Sequence, residues 1–402
     1  MAARAAVLSL VTGVATAASI AVARDLDVAV GKAVFDRLWV QAPSSTKSAD
    51  GLGPLFAARS CSACHGADGK RARFLLGRDD PAATPGLVLR LADAKGRPDP
   101  VYGAQLQPAG LGGAPGEGEA AASRPPAPGP SVKPEWRVDG LAYGALGAGA
   151  RVSARVAPSL AGLGLLARVP DAAIVAREDP DDRDGDGVSG RAARLASGEI
   201  GRLGWKATEP TLQAQAEAAF ALDLGLSTRG RPDPVGDCTS AQVACRQAPN
   251  GGGPGEPEVG PELLAGLVAF LKSRPAPAHP ATGRGEDLFE AVGCGACHVP
   301  SLALADGGEA RAFSDLLLHD MGSGLDDGAA EGAAASPEWR TAPLWGLSET
   351  LALGSGLLHD GRAGTVAEAI AWHGGEAAAA RARFEKLAPH ERQALLDYLN
   401  DL

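Results

Sequence analysis

The chain has 402 residues and 45% hydrophobic content, enough for two domains with cores of their own and too apolar for general disorder. Aromatics are only 4%, while 54 Gly and 30 Pro make up about a fifth of the chain. Loops are therefore extensive, and much of each core must be filled by something other than aromatic side chains. A formal charge of −10 argues against nucleic-acid binding and suits a basic partner.

Arg4 precedes an Ala- and Val-rich apolar run from Ala5 to Ala23, with small-residue pairs at Ala15/Ala17 and Ala21/Ala23 before Arg24 and Asp25. This reads as a secretory signal peptide over residues 1–23. A membrane anchor is the competing reading, since about 19 apolar residues can just span a bilayer; the low Leu, Ile and Phe content favours cleavage. No later stretch is long and apolar enough to cross a membrane. A periplasmic protein with no span after cleavage is expected.

Gly31-Lys32-Ala33-Val34-Phe35 and Leu38 form a short amphipathic helix, broken at Ala42-Pro43-Ser44-Ser45-Thr46. Cys61-Ser62-Ala63-Cys64-His65 follows, and Cys294-Gly295-Ala296-Cys297-His298 is a second copy. Two thiols two residues apart followed at once by histidine form the attachment signature of a c-type haem: the thiols bind the porphyrin covalently and the imidazole reaches the iron. A redox cysteine pair or half a zinc site is the alternative for one copy; two copies, both with the histidine, point to two covalent haems. A porphyrin would also supply the missing apolar core. Before the second copy, Gly285-Glu286-Asp287-Leu288-Phe289 and Val292 repeat the first helix, without the loop of about twenty residues that separates the first helix from Cys61.

Residues Pro98 to Pro134 read as an exposed loop, and Gly140 to Pro170 supplies Val152, Val156, Leu160, Leu163, Leu165 and Leu166 to the first core. Asp182, Asp184 and Asp186, with Gly187 and Ser189, resemble a calcium loop, whose alternate carboxylates fold around a hard cation. The loop is incomplete, with Gly190 at position nine and Ala193 at position twelve, so a solvated acidic turn competes. A helix from Pro210 to Asp223 is capped by Thr211 or Thr208, and a stronger one runs from Pro261 to Arg274 until Pro275-Ala276-Pro277 stops it. Cys238 and Cys245, left over from the haem motifs, are expected to pair in an oxidising compartment. The last helix opens at Pro389 and turns Leu395, Leu396 and Leu399 inward. The expected fold is mainly α: a haem domain over 24–275 enlarged by loop insertions, and a compact cytochrome c-like haem domain over 281–402.

A haem closed on both faces passes electrons, whereas one with an open face can do chemistry. Between Gly66 and Ala278 there is neither His nor Met. Unless a residue reaches across from the second domain, the first haem is left with a weak ligand such as Tyr102, Tyr143 or Lys206, with water, or with nothing, and an open or weakly ligated face is expected. The second half offers His319, Met321, His359 and His373; His390 reads as a surface residue, and His279 sits in a Pro-rich linker.

Nearly the whole mature chain resembles the di-haem oxidoreductases assigned as peroxidases or thiol oxidoreductases. The likeness rests on the Trp39 to His65 stretch, the Asp-rich loop, Gly204-Trp205-Lys206, Leu318-His319-Asp320-Met321-Gly322, Glu338 to Trp345 and His359-Asp360-Gly361-Arg362-Ala363. More distantly, the two-haem plan is similar to bacterial di-haem cytochrome c peroxidases, to the di-haem enzyme that matures methylamine dehydrogenase and to haem-dependent rubber oxygenases. The resemblance implies that the helix ending in Trp372-His373 presents the second haem's far ligand, with His373 ahead of Met321 and His359 supporting the turn. It implies that Arg340 holds a propionate, that Trp205 lies between the haems, and that Gln215 and Asp223 serve as the acid/base pair at the open haem. The function so implied is reduction of hydrogen peroxide at the first haem, with electrons from a cytochrome c or cupredoxin type donor entering at the second. A haem-dependent oxidase or oxygenase acting on an organic or protein substrate, and a non-enzymatic electron carrier, are the alternatives.

Overall fold

A computed structural model describes residues 25–67, 69–70, 73–123, 132–253, 255–278 and 283–402. The expected signal peptide at 1–23 and His279 lie outside these residues. Among the described residues no helix is long and apolar enough to cross a membrane.

The two motif-bearing halves are organised around the same helix pair. In the first, helix 25–36 crosses helix Pro261–Lys272, burying Val34, Phe35, Leu264, Leu267 and Phe270 together. The crossing is tight because glycine meets glycine: a Cβ at Gly31 would lie 1.9 Å from the Gly266 carbonyl oxygen. In the second, helix Arg284–Val292 crosses the terminal helix Pro389–Asn400, where a Cβ at Gly285 would lie 2.3 Å from the Tyr398 Cβ. Gly31 and Gly285 hold the same place in the sequence repeat, and each is followed by an aromatic that packs on the partner helix. The ring centroids are 5.1 Å apart for Phe35 and Phe270 and 6.0 Å for Phe289 and Tyr398. Of the terminal leucines expected inside, Leu395 and Leu399 are buried and Leu396 is partly so.

The mainly-α expectation is corrected by the strands. About 28% of the structure is helical and 15% is strand, and the described strands pair into six two-stranded antiparallel ribbons. The longest joins Leu87–Ala92 to Arg151–Val156, with Leu87 opposite Val156 and Ala92 opposite Arg151. Its alternating pattern buries Leu89, Leu91 and Ala154 against Tyr102 and Leu106. The stretch read as a loop from Pro98 to Pro134 also contains strand: Glu119–Ala122 pairs with Trp136–Asp139. Three successive alanines carry no strand pattern; the pairing is set by Trp136 and Val138 on the partner strand.

The boundary at Pro275 to Pro277 divides the two helical cores but not the whole interior. A third core joins Leu166, Val169, Ile174 and Ile200 to Leu302, Leu316, Leu317 and Trp345 across it. Cys238 and Cys245 form the expected disulfide. The helix expected from Pro210 is Leu212–Asp223, and Thr211 caps it by accepting the Ala214 N–H at 3.1 Å.

Candidate functional site

Each Cys-x-x-Cys-His motif forms one wall of a cavity. Ser60 caps the single turn Cys61–His65, its hydroxyl accepting the Ala63 N–H at 3.1 Å. That turn places Cys61, Cys64 and His65 on a cavity of about 280 Å³. In the second half, Gly293 at φ +89, a backbone shape that side chains disfavour, ends the helix and turns the chain into Cys294–Ala296. Cys294, Cys297 and His298 line a cavity of about 500 Å³.

Burial pushes the thiols of Cys61, Cys64 and Cys294 up to about 12 and raises that of Cys297. Among the described residues, no further metal-binding side chains gather around Cys61 and Cys64.

The histidines sort by what their Nδ1 touches. His65 faces the Pro158 carbonyl at 3.0 Å, His298 the Phe313 carbonyl at 2.9 Å, and His373 the Ala369 carbonyl at 2.8 Å. A ring nitrogen against a carbonyl carries the proton, so Nε2 is the basic nitrogen in all three. Burial lowers each imidazole, His298 to about 4, and keeps the neutral form that binds a metal. This donor set, beside paired thiols and an apolar cavity, fits haem. His298 and His373 both line the second cavity, with Met321, while His65 is the one histidine of the first cavity among the described residues.

His319 lies between two carboxylates and, with Asp315 and Cys297, brings three possible ligand atoms within 4.8 Å of one another. Its Nε2 lies 2.9 Å from Asp315 Oδ2 and its Nδ1 2.7 Å from Glu376 Oε2. Burial alone would lower this imidazole, but hydrogen bonds to Asp315, Cys297 and Glu376 outweigh it and lift the pKa to about 12. His359 stacks flat on Trp339, 3.8 Å between centroids, and lines the second cavity.

The three weak ligands considered for the first haem are occupied elsewhere. The Tyr102 hydroxyl donates to the Gly144 carbonyl at 2.7 Å, and the Tyr143 hydroxyl to that of Pro115 at 2.7 Å. The fully buried Lys206 Nζ donates to the carbonyls of Ala335, Ser336 and Glu338 at 2.8–3.1 Å. None of the three lines either cavity.

Trp205 and Arg340 line both cavities. The Trp205 indole donates to the Val156 carbonyl at 2.8 Å, two residues before the carbonyl that holds His65. The end of strand Arg151–Val156 and the two residues after it therefore set both the tryptophan between the cavities and the first motif's imidazole. Arg340 donates to the Gly204 carbonyl at 2.8 Å, and its backbone N–H bonds the Trp205 carbonyl at 3.0 Å. Burial lowers the Arg340 guanidinium to about 10, which still leaves a cation between the cavities at neutral pH.

Gln215 and Asp223 both line the first cavity. Burial raises the Asp223 carboxyl, and Gln105 Nε2 donates to its Oδ1 at 2.9 Å. Gln105 also lines this cavity and was missed because it lies in the stretch read as loop; no motif marks it. Glu376 was missed as well, although it follows His373 by three residues. Its carboxylate ties His319 to the backbone N–H groups of Ser189 and Asp320.

The carboxylates of Asp182, Asp184 and Asp186 come within 4.8 Å of one another, and Asp186 lies on the edge of the second cavity. Asp182 Oδ1 and Asp186 Oδ1 accept the backbone N–H groups of Gly187 and Val188.

Residues 143–402 match the family described as "Di-haem oxidoreductase, putative peroxidase", and the chain belongs to that family. No curated protein matches the chain. A solved structure of hydrazine synthase from Kuenenia stuttgartiensis is similar at 15% identity, covering 92% of this chain and 91% of that one with a TM-score of 0.38.

Proposed function

We propose that this chain is an exported peroxidase with two covalent haems, reducing hydrogen peroxide at the first cavity with electrons received at the second. The observation that carries this reading is the asymmetry of the two cavities: among the described residues, two imidazoles with a basic Nε2 line the second and one lines the first, while Trp205 borders both. Bound haem would supply a redox-active iron able to pass electrons and to react with small oxidants.

Cys61, Cys64 and His65 would hold the first haem, and Cys294, Cys297 and His298 the second, to which His373 would also offer its Nε2. Met321 remains the competing ligand on the same cavity wall. Arg340 anchors a propionate by charge-assisted hydrogen bonds. At the first cavity Asp223, held by Gln105, moves a proton from the near to the far oxygen of peroxide so that the leaving oxygen departs as water, and Gln215 orients the substrate. The reaction consumes two electrons and two protons per peroxide and yields two waters. A small cytochrome or cupredoxin delivers the electrons, and the acidic surface suits a basic donor. The Cys238–Cys245 disulfide suits the oxidising periplasm.

The test is a reduced-state spectrum with and without carbon monoxide, followed by steady-state peroxide consumption with a reduced cytochrome. One haem binding carbon monoxide, with peroxide turnover, is the expected result. Carbon monoxide binding at neither haem would leave an electron carrier, and binding without peroxide turnover would favour the oxygenase alternative.

A further inference from the structure

Behind the first cavity lies a file of buried polar groups that the reaction above leaves unused. Gln105 and Gln107 donate their side-chain amides to one acceptor, the Leu222 carbonyl, at 3.0 and 2.6 Å. Gln105 Nε2 also reaches Asp223 Oδ1 at 2.9 Å. Because each Nε2 faces only acceptors, the amide orientation is forced and each Oε1 points away. Neither Oε1 has a hydrogen-bond partner among the described residues, although Gln105 is 0% and Gln107 3% exposed. Buried acceptors of this kind are the sites at which proteins hold internal water.

The file continues outward to Glu117, itself 1% exposed. Its Oε2 accepts the Gln107 backbone N–H at 2.6 Å, and its Oε1 accepts the Gln242 side-chain amide. Burial raises this carboxyl to about 8, with Asp237 and Asp99 adding repulsion against the hydrogen bonds that lower it. Asp237 accepts the backbone N–H groups of Ala104 and Gln105, and burial raises it to about 6. Tyr102 and Tyr143 are the other titratable groups around Glu117. Glu117 lies just beneath the surface, between exposed Pro115 and exposed Glu119; its carbonyl accepts the Ala142 N–H, and Tyr143 donates to the Pro115 carbonyl.

We infer that Glu117, Gln107 and Gln105 form a proton-delivery route from the surface to Asp223 in the first cavity, the two free amide oxygens holding the water that carries the proton. Glu117 releases a proton inward and regains one from solvent, so the route supplies the two protons that each peroxide consumes and is itself unchanged. This rests on reading the first cavity as the site of peroxide reduction.

Two readouts on the haem-loaded protein test it. Redox-induced infrared difference spectra and dye-detected proton uptake on reduction need no peroxide; a protonated-carboxyl band is expected near neutral pH and is lost in Glu117→Gln. In single turnovers with peroxide, Glu117→Gln and Gln107→Leu are expected to slow the reaction roughly tenfold to a hundredfold with a larger solvent deuterium effect. Carbon monoxide binding, which needs no proton, stays unchanged and reports intact folding. Retention of the wild-type band, proton uptake and turnover rate in both variants overturns the route. If wild type consumes no peroxide but Glu117→Gln still loses the band and the uptake, the route stands and the peroxidase reading falls.

Discussion

What separates the histidines of this chain is the partner of each Nδ1, and the partner decides what each ring can do. A carbonyl leaves Nε2 basic on His65, His298 and His373; two carboxylates leave His319 an ion. His373→Ala is therefore expected to convert the second haem from low to high spin in ferric spectra, and Met321→Ala to leave it low spin. The His319 cluster yields a pH prediction. Glu376 is held below its usual range by the His319 and Asp320 hydrogen bonds despite burial, so its contribution is present above its unfolded pKa of 4.5 and is lost as the pH falls through the lower folded value. His319 is raised, so its contribution is complete below 6.5 and fades as pH rises toward about 12. The stability difference between wild type and Glu376→Gln should then peak between pH 4.5 and 6.5, at about 3 kcal/mol, the cost of breaking one arm of a buried pair. Denaturant midpoints across pH measure it. At this scale, the two Cys-x-x-Cys-His motifs were legible because each is a contiguous run with fixed spacing, and the structure sets each on a cavity wall. Gln105 and Glu376 were not, because they are defined by what lies opposite them across more than fifty residues of chain.

The repeat Gly31-x-x-Val34-Phe35 and Gly285-x-x-Leu288-Phe289 was visible as an echo in the sequence, and its meaning is a pair of helix crossings. At each, the glycine admits the partner helix and the aromatic four residues on packs against it. Alanine at either glycine gains about 1 kcal/mol of helix propensity. It also sets a methyl carbon 1.9 Å from a backbone oxygen at Gly31, or 2.3 Å from the Tyr398 Cβ at Gly285, and neither neighbour is the far end of a flexible side chain. Overpacking wins, so Gly31→Ala and Gly285→Ala are each expected to lose about 1–3 kcal/mol in denaturant unfolding. The strands were less legible. Arg151–Val156 alternates as a half-buried strand should, but the sequence region around it was read for apolar content alone. Glu119–Ala122 has no pattern of its own, and its pairing is imposed by Trp136–Asp139.

At the scale of the whole molecule, the two cavities share a wall and do not share a ligand set. Trp205 is that wall's aromatic element, fixed through its indole N–H to Val156 and through its backbone carbonyl to Arg340. If electrons cross there, the rate should depend on the indole more than on the bulk it fills. Trp205→Phe preserves most of the apolar volume and removes the N–H that anchors the ring to the strand holding His65 in place. Both haems should then load normally and keep their individual spectra. After rapid mixing of the reduced protein with peroxide, oxidation of the second haem should slow by at least about tenfold, equivalent to 1.4 kcal/mol in the barrier, while the first haem reacts at its original rate. A fall in both rates would instead mark Trp205 as part of the first haem's packing. Unchanged oxidation of the second haem would move the connection to Arg340 and the segment Ala342-Pro343, which also line both cavities. The two haem rates measured in one trace thus separate a relay from a structural wall, because only a relay couples a change at Trp205 to the distant haem without touching the near one.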